Sequence, residues 1–170
     1  MAIRRDARER AVQFLFQYEL NPASDLDAAL EDFWLTQNKT AIEREKTHLK
    51  WKEMGPEEVV VEGPDVEETA IRSFADPLIR GTIEHRLELD EKIRQYIQNW
   101  SMHRLAAVDR NVLRLAVYEM LYRFDIPPIV TINEAVDIAK KYSTTESGGF
   151  VNGILDKVKA DLMRPARVSE

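Results

Sequence analysis

Arg4, Arg5, Arg8 and Arg10 crowd the first ten residues of the chain, and the chemistry of such a cluster is anion recognition. A guanidinium group presents a rigid fork of donors that matches two phosphate oxygens at once. The position is physically odd if these residues open a helix. A helix N-terminus carries partial positive charge, so each cation there costs about 0.3–1 kcal/mol at low salt. Asp6 and Glu9 offset only part of that. A bound anion would remove the conflict, because helix-start amides and arginine side chains together form a phosphate cradle. The plainer alternative is a solvated arm whose arginines pair with Asp6 and Glu9. A second basic set, Arg104, Arg110, Arg114 and Arg123, falls in the middle of the chain. Arg110 and Arg114 are four apart and share a helix face beside Asp109. That face could extend a phosphate track or be an ordinary charged surface. Phe150 follows Gly148-Gly149, where an aromatic ring could stack on an unpaired base or simply plug the core.

The sequence carries no catalytic pattern. His48, His85 and His103 show no paired ligand spacing. The chain has no Cys, so thiolate metal sites, disulfides and cysteine nucleophiles are excluded. There is no glycine-rich phosphate loop and no nucleophile elbow. Carboxylates are plentiful, but no pair stands out for acid–base work. The expectation is a binding protein with no enzymatic activity, no cofactor and no metal. No apolar run is long enough to span a membrane, and Met1-Ala2-Ile3-Arg4-Arg5 lacks the apolar stretch of a secretion signal. A cytoplasmic protein is expected.

The net charge of −6 argues at first against a polyanionic partner. Its distribution changes the inference. Residues 20–70 hold 13 acids and 5 bases, whereas the rest holds 17 acids and 19 bases. Screening limits the reach of a charge to about 8–10 Å, so the local field and not the total decides where RNA docks.

The elements that must position these residues read as helices. A chain of 170 residues with 44% hydrophobic content, 6 Gly and 7 Pro fits one helical domain, residues 1–170, better than a many-stranded fold. Ala7, Ala11, Val12, Leu15 and Phe16 recur at helical spacing, which predicts a helix from Ile3 to Leu20, ended by Asn21-Pro22. Ser24 is the expected N-cap of a second helix carrying Leu26, Ala29, Leu30, Phe33 and Trp34. Residues 37–68 read as an acidic insertion with a helical piece at 41–51 and an extended stretch at Val59-Val60-Val61. Helix is predicted again from Val66, with a kink or a new start at Asp76-Pro77 and a break near Leu89-Asp90. The strongest pattern runs from Leu105 to Arg123. Thr131-Ile132-Asn133-Glu134 has the form of a capping box opening the next helix. Residues 143–149 read as a loop before a last helix from Phe150 to Met163. Gly153 inside that helix costs about 1 kcal/mol relative to Ala, for which close helix packing is the expected reason. Residues 164–170 read as a frayed tail.

Four blocks carry a resemblance to a known family. They are Arg4-Arg5-Asp6-Ala7-Arg8-Glu9 running into Ala11-Val12-Gln13, Val108 to Glu119, Ile132 to Val136 with Ala139 to Ser143, and Phe150 to Asp156. In this order and spacing they resemble NusB proteins, over residues 3–20 and about 78–160. The resemblance implies an all-α fold of about seven helices in two packed bundles. It implies binding to the boxA element of nascent RNA, especially ribosomal RNA leaders. It also implies pairing with NusE, a small-subunit ribosomal protein, in an RNA polymerase antitermination complex. Carried over by position, it implies RNA-contacting roles for Arg4, Arg5, Arg8, Asp109, Arg110, Arg114, Glu146 and Phe150. Asp6 departs from a run that is often wholly basic, and the 37–68 insertion is longer than the family usually has. Two other readings remain open. One is a helical interaction module or homodimer that hides the arginine arm. The other is a relative of the helical domain that precedes RNA methyltransferase domains, although 170 residues leave no room for a cofactor-binding sheet.

Overall fold

The computed structural model describes residues 2–50, 66–97 and 101–163, with side chains placed for 3–39, 66–97 and 101–162. The extended stretch expected at Val59-Val60-Val61 and the tail at 164–170 lie outside these residues. Seven α-helices and no strand occur among them: α1 (Ala2–Leu20), α2 (Leu26–Lys50), α3 (Val66–Glu84), α4 (Arg86–Arg94), α5 (Ala107–Tyr122), α6 (Pro128–Tyr142) and α7 (Thr145–Met163). A short 3-10 turn, Met102–Arg104, precedes α5. The expected all-α class holds.

Helix α5 sits at the centre. Val112, Leu113, Leu115, Ala116, Val117 and Met120 are all buried, so its apolar surface extends well beyond one stripe. A helix of that kind must be surrounded, and α5 meets α1, α3 and α4 on one side and α6 and α7 on the other. These are the two bundles, with α5 shared. In the first, Ala7, Ala11, Val12, Phe14 and Leu15 of α1 meet Ile71, Ala75, Leu78 and Ile79 of α3. Helix α2 joins through Phe33, whose ring meets Phe14 edge-on at 5.4 Å, and through Trp34, whose Nε1–H donates to Asp76 Oδ1 at 2.7 Å. In the second bundle, Ile132, Ala135, Ile138 and Ala139 of α6 meet Val151, Ile154, Leu155 and Val158 of α7.

The boundaries depart from the sequence reading at five places. Asp25, not Ser24, caps α2, its Oδ1 accepting the Ala28 amide at 3.2 Å. Helix α3 continues through Pro77, so no new helix starts there. The break expected near Leu89-Asp90 falls at His85, between α3 and α4. Helix α6 begins at Pro128, where proline's missing donor costs nothing, so the Thr131–Glu134 capping box does not form. Thr131 donates to Glu119 of α5 and Glu134 accepts from Arg5 of α1. Finally, α7 begins at Thr145 and includes the residues expected to loop. Thr144 Oγ1 accepts the Ser147 amide at 3.1 Å, which supplies the cap.

Candidate nucleic-acid interface

The arginines divide into an internal and an external set. Arg8 is only 4% exposed. Its Nε and Nη2 donate to Glu119 Oε2 at 3.0 Å and Oε1 at 2.6 Å. Glu119 is buried too and also accepts the Thr131 hydroxyl at 2.8 Å. This one carboxylate therefore ties α1, α5 and α6 together. Arg114 is equally buried, donating to Asp90 Oδ1 at 2.6 Å and Oδ2 at 2.9 Å and to Glu19 Oε2 at 2.7 Å. Arg110 donates to the Met102 and Leu105 carbonyls at 3.0 and 2.9 Å and pairs with Glu19.

These contacts turn Arg8, Arg114 and, in part, Arg110 inward, away from the phosphate-facing position expected of them. A charge taken out of water must be paired, and their carboxylate and carbonyl partners already occupy the guanidinium forks. Their structural place is inside, holding α1 and α4 to α5.

Glu19 gives this network a pH signature. Burial pushes its carboxyl up, but the hydrogen bond from Arg110, the charges of Arg114 and Arg110, and the Asn111 amide outweigh that and hold it below its ordinary value of 4.5. A carboxyl lowered on folding contributes stability above its unfolded pKa and loses it as pH falls through the folded one. Stability should therefore fall on acidification below about pH 4.5. Glu19→Gln should flatten that limb of a denaturation series run against pH, and an unchanged slope would contradict this role.

Of the arginines expected to contact RNA, Arg4 and Arg5 are external. Arg5 is half-exposed and donates to Glu134 at 2.9 and 3.1 Å and to Asp137 at 2.9 Å. The alternative of arm arginines pairing with Asp6 and Glu9 is not what forms, since Glu9 takes Lys141 and Tyr142, and Arg10 pairs with Glu68. Arg4 is exposed, with no carboxylate at ion-pair distance among the described residues. Its guanidinium lies 5.0 Å from the centre of the Phe74 ring, which Arg8 and Arg123 also approach, at 5.2 and 5.3 Å. One ring thus gathers three cations on the α1 start.

The second region lies at the start of α7. Phe150 is partly buried against the core and stands between two surface concavities. One, about 310 Å³, is lined by Arg104, Leu105, Asp109, Glu146, Ser147 and Phe150. The other, about 290 Å³, is lined by Tyr96, Ile97, Gly149, Gly153 and Lys157. At the first, Asp109 is 7% exposed; its Oδ2 accepts the Ser147 hydroxyl at 2.9 Å while its Oδ1 is buried with no hydrogen-bond partner. Glu146 is exposed in the first turn of α7. A Cβ at Gly149 or Gly153 would meet nothing within 4 Å. Gly153 therefore does not serve close helix packing, as expected from the sequence; the two glycines leave bare backbone beside Phe150.

Phe150 and Arg4 are not neighbours. Asp109 is near the start of α5 and Arg123 follows its end, so the two regions are about 20 Å apart at 1.5 Å per residue. Sequence reasoning passed over Lys157 and gave Arg104 no place near Phe150. Both are exposed, with no carboxylate at ion-pair distance among the described residues. The available signal was the spacing Gly149, Phe150, Gly153, Lys157, which places all four along one side of a helix that starts early enough to include them. Among the described residues no group of His, Asp and Glu is arranged to hold a metal ion, and no helix is long and apolar enough to cross a membrane.

The chain is similar to known proteins over nearly its whole length. The family model described as NusB family matches residues 5–160. The transcription antitermination protein NusB of Methylacidiphilum infernorum is 43% identical over 169 residues, covering 99% of each chain. Among solved structures, T. maritima NusB superposes with a TM-score of 0.66 at 37% identity, covering 93% of this chain and 91% of that one. A structure of antitermination factors NusB and NusE in complex with dsRNA matches with a TM-score of 0.64 at 26% identity, covering 95% of this chain and 98% of that one.

Proposed function

We propose, from the premise that the chain belongs to the NusB family, that it is a transcription antitermination factor. It captures boxA-type single-stranded RNA of nascent ribosomal RNA transcripts together with NusE, and acts on RNA polymerase elongation. The role is binding and involves no bond chemistry. The observation that carries the reading is the surface around Phe150. An aromatic edge lies between the exposed cations Arg104 and Lys157, with a desolvated carboxylate oxygen of Asp109 lacking a donor at its side.

Each part has a physical counterpart in single-strand recognition. Bases of a single strand are unstacked and offer faces to an aromatic ring, worth about 1–3 kcal/mol per base. Exocyclic amino groups are donors for Asp109 and Glu146. Arg104 and Lys157 neutralise phosphates, which releases counterions. Arg4 and the exposed edge of Arg5 form the second contact point, and a strand of several nucleotides spans the two. The exposed Lys140, whose stem lies over Gly148, is on the α6 side between them. The Arg5 pair with Glu134 and Asp137 is at the surface, where ion pairs are weak enough to exchange for phosphate. Binding NusE on a separate face raises the effective concentration of RNA at this surface.

Arg4→Ala is the direct test of the arm. Removing one phosphate contact on a single strand should reduce the slope of log affinity against log salt by about 0.7. The helical circular-dichroism spectrum should not change, because Arg4 is on the surface. A slope equal to the parent's across a salt titration with a boxA-like oligonucleotide would remove Arg4 from the contact set.

A further inference from the structure

We propose that Phe124 is a second base-stacking platform, which extends the RNA-binding surface beyond Arg4 at the end of α5 opposite to Phe150; this rests on the RNA-binding reading above. Phe124 is 88% exposed, the most exposed large hydrophobic side chain among the described residues. A ring displayed this far into water offers an apolar face to a ligand.

The turn that carries it is closed by hydrogen bonds. The Ile126 amide donates to the Arg123 carbonyl at 3.2 Å, closing a turn with Phe124 and Asp125 at its two corners. Ile126 is buried and anchors the turn from below, and Pro127 leads directly into α6. Arg123 also donates through Nε and Nη2 to Asp125 at 3.0 and 3.1 Å, an ion pair within the turn itself. A ring presented on such a frame loses little conformational freedom on binding, so more of the stacking energy appears as affinity.

Charge selects the ligand. The guanidinium groups of Arg123 and Arg4 both lie over the Phe74 ring, at 5.3 and 5.0 Å. Asp125 is held below its ordinary value first by the hydrogen bond from Arg123, and the shared Phe74 ring sets Arg4 near Arg123. The one acid in the turn is thus already neutralised by Arg123, and Arg4 retains its charge for an outside anion. An exposed aromatic next to an available cation matches a nucleotide of a single strand, with base on ring and phosphate on guanidinium. An apolar protein segment would use the ring but leave the cation without a counterpart.

The experiment compares parent, Phe124→Ala, Phe124→Trp and Arg4→Ala for binding of a boxA-like single-stranded oligonucleotide at fixed salt. Phe124→Ala should weaken binding about tenfold. Phe124→Trp should keep parental affinity, with emission above the parent background that is quenched on saturation as a base stacks on the indole. Parental affinity for Phe124→Ala, with Arg4→Ala weakened, would overturn the platform while leaving the RNA-binding reading intact. So would a parental affinity accompanied by loss of a homodimer in light scattering, which would assign the ring to a second copy of the chain. No RNA binding by the parent would reject the underlying reading itself.

Discussion

Glu119→Ala should lower folding stability by about 3–5 kcal/mol, the usual consequence of removing one partner from a buried ion pair. The substitution leaves the Arg8 guanidinium, 4% exposed, without its bidentate acceptor and leaves the Thr131 hydroxyl without its own. Urea denaturation followed by circular dichroism reads the change directly. The paired replacement Arg8→Met with Glu119→Leu should recover most of the loss, because apolar groups of similar volume in place of a buried pair are often neutral or stabilising. The two results together separate an internal tie from an RNA contact. If Arg8 instead faced phosphate, Glu119→Ala would cost little stability and Arg8→Met would act on RNA affinity alone.

Arg114→Ala should be comparably severe, again about 3–5 kcal/mol. It strands Asp90, itself buried, and removes one of two cations from Glu19. Arg110→Ala should be milder, since Arg114 and Asn111 still reach Glu19 when Arg110 is absent. The ranking matters because the sequence presents Arg110 and Arg114 as an equivalent pair four residues apart. Equal losses for both variants in the same denaturation series would mean that the Glu19 cluster is not organised around Arg114.

Periodicity made most of the architecture legible. The spacing of Ala7, Ala11, Val12 and Leu15, and that of Val112, Leu115, Ala116 and Met120, marks α1 and α5 unambiguously because burial of an apolar face leaves a helical repeat in the sequence. What stayed hidden was tertiary competition for polar side chains. Thr131 and Glu134 have the form of a capping box, yet Glu119 and Arg5 take them from other helices. Thr144 caps α7 ahead of two glycines that locally argue for a loop, and packing against α6 overrides that weak propensity. The basic residues were the least legible. Arginine in a linear sequence looks the same whether it faces solvent or a buried carboxylate, and Glu19, Asp90 and Glu119 lie far from Arg110, Arg114 and Arg8 along the chain. The position of Phe150 at a helix start was visible. Its setting between two concavities, with Asp109 Oδ1 unsatisfied, required the packing of α5 against α7.

A surface of exposed cations and aromatic edges, separate from the internal arginines, is most directly tested by titrating a labelled boxA-like single strand and a scrambled strand of equal length into the protein, with and without NusE. Stacking on an aromatic ring does not distinguish the two strands, but hydrogen bonds to base edges do, so the boxA-like strand should bind about tenfold tighter, and NusE should tighten it further. Equal affinity for both strands, unaffected by NusE, would contradict the account.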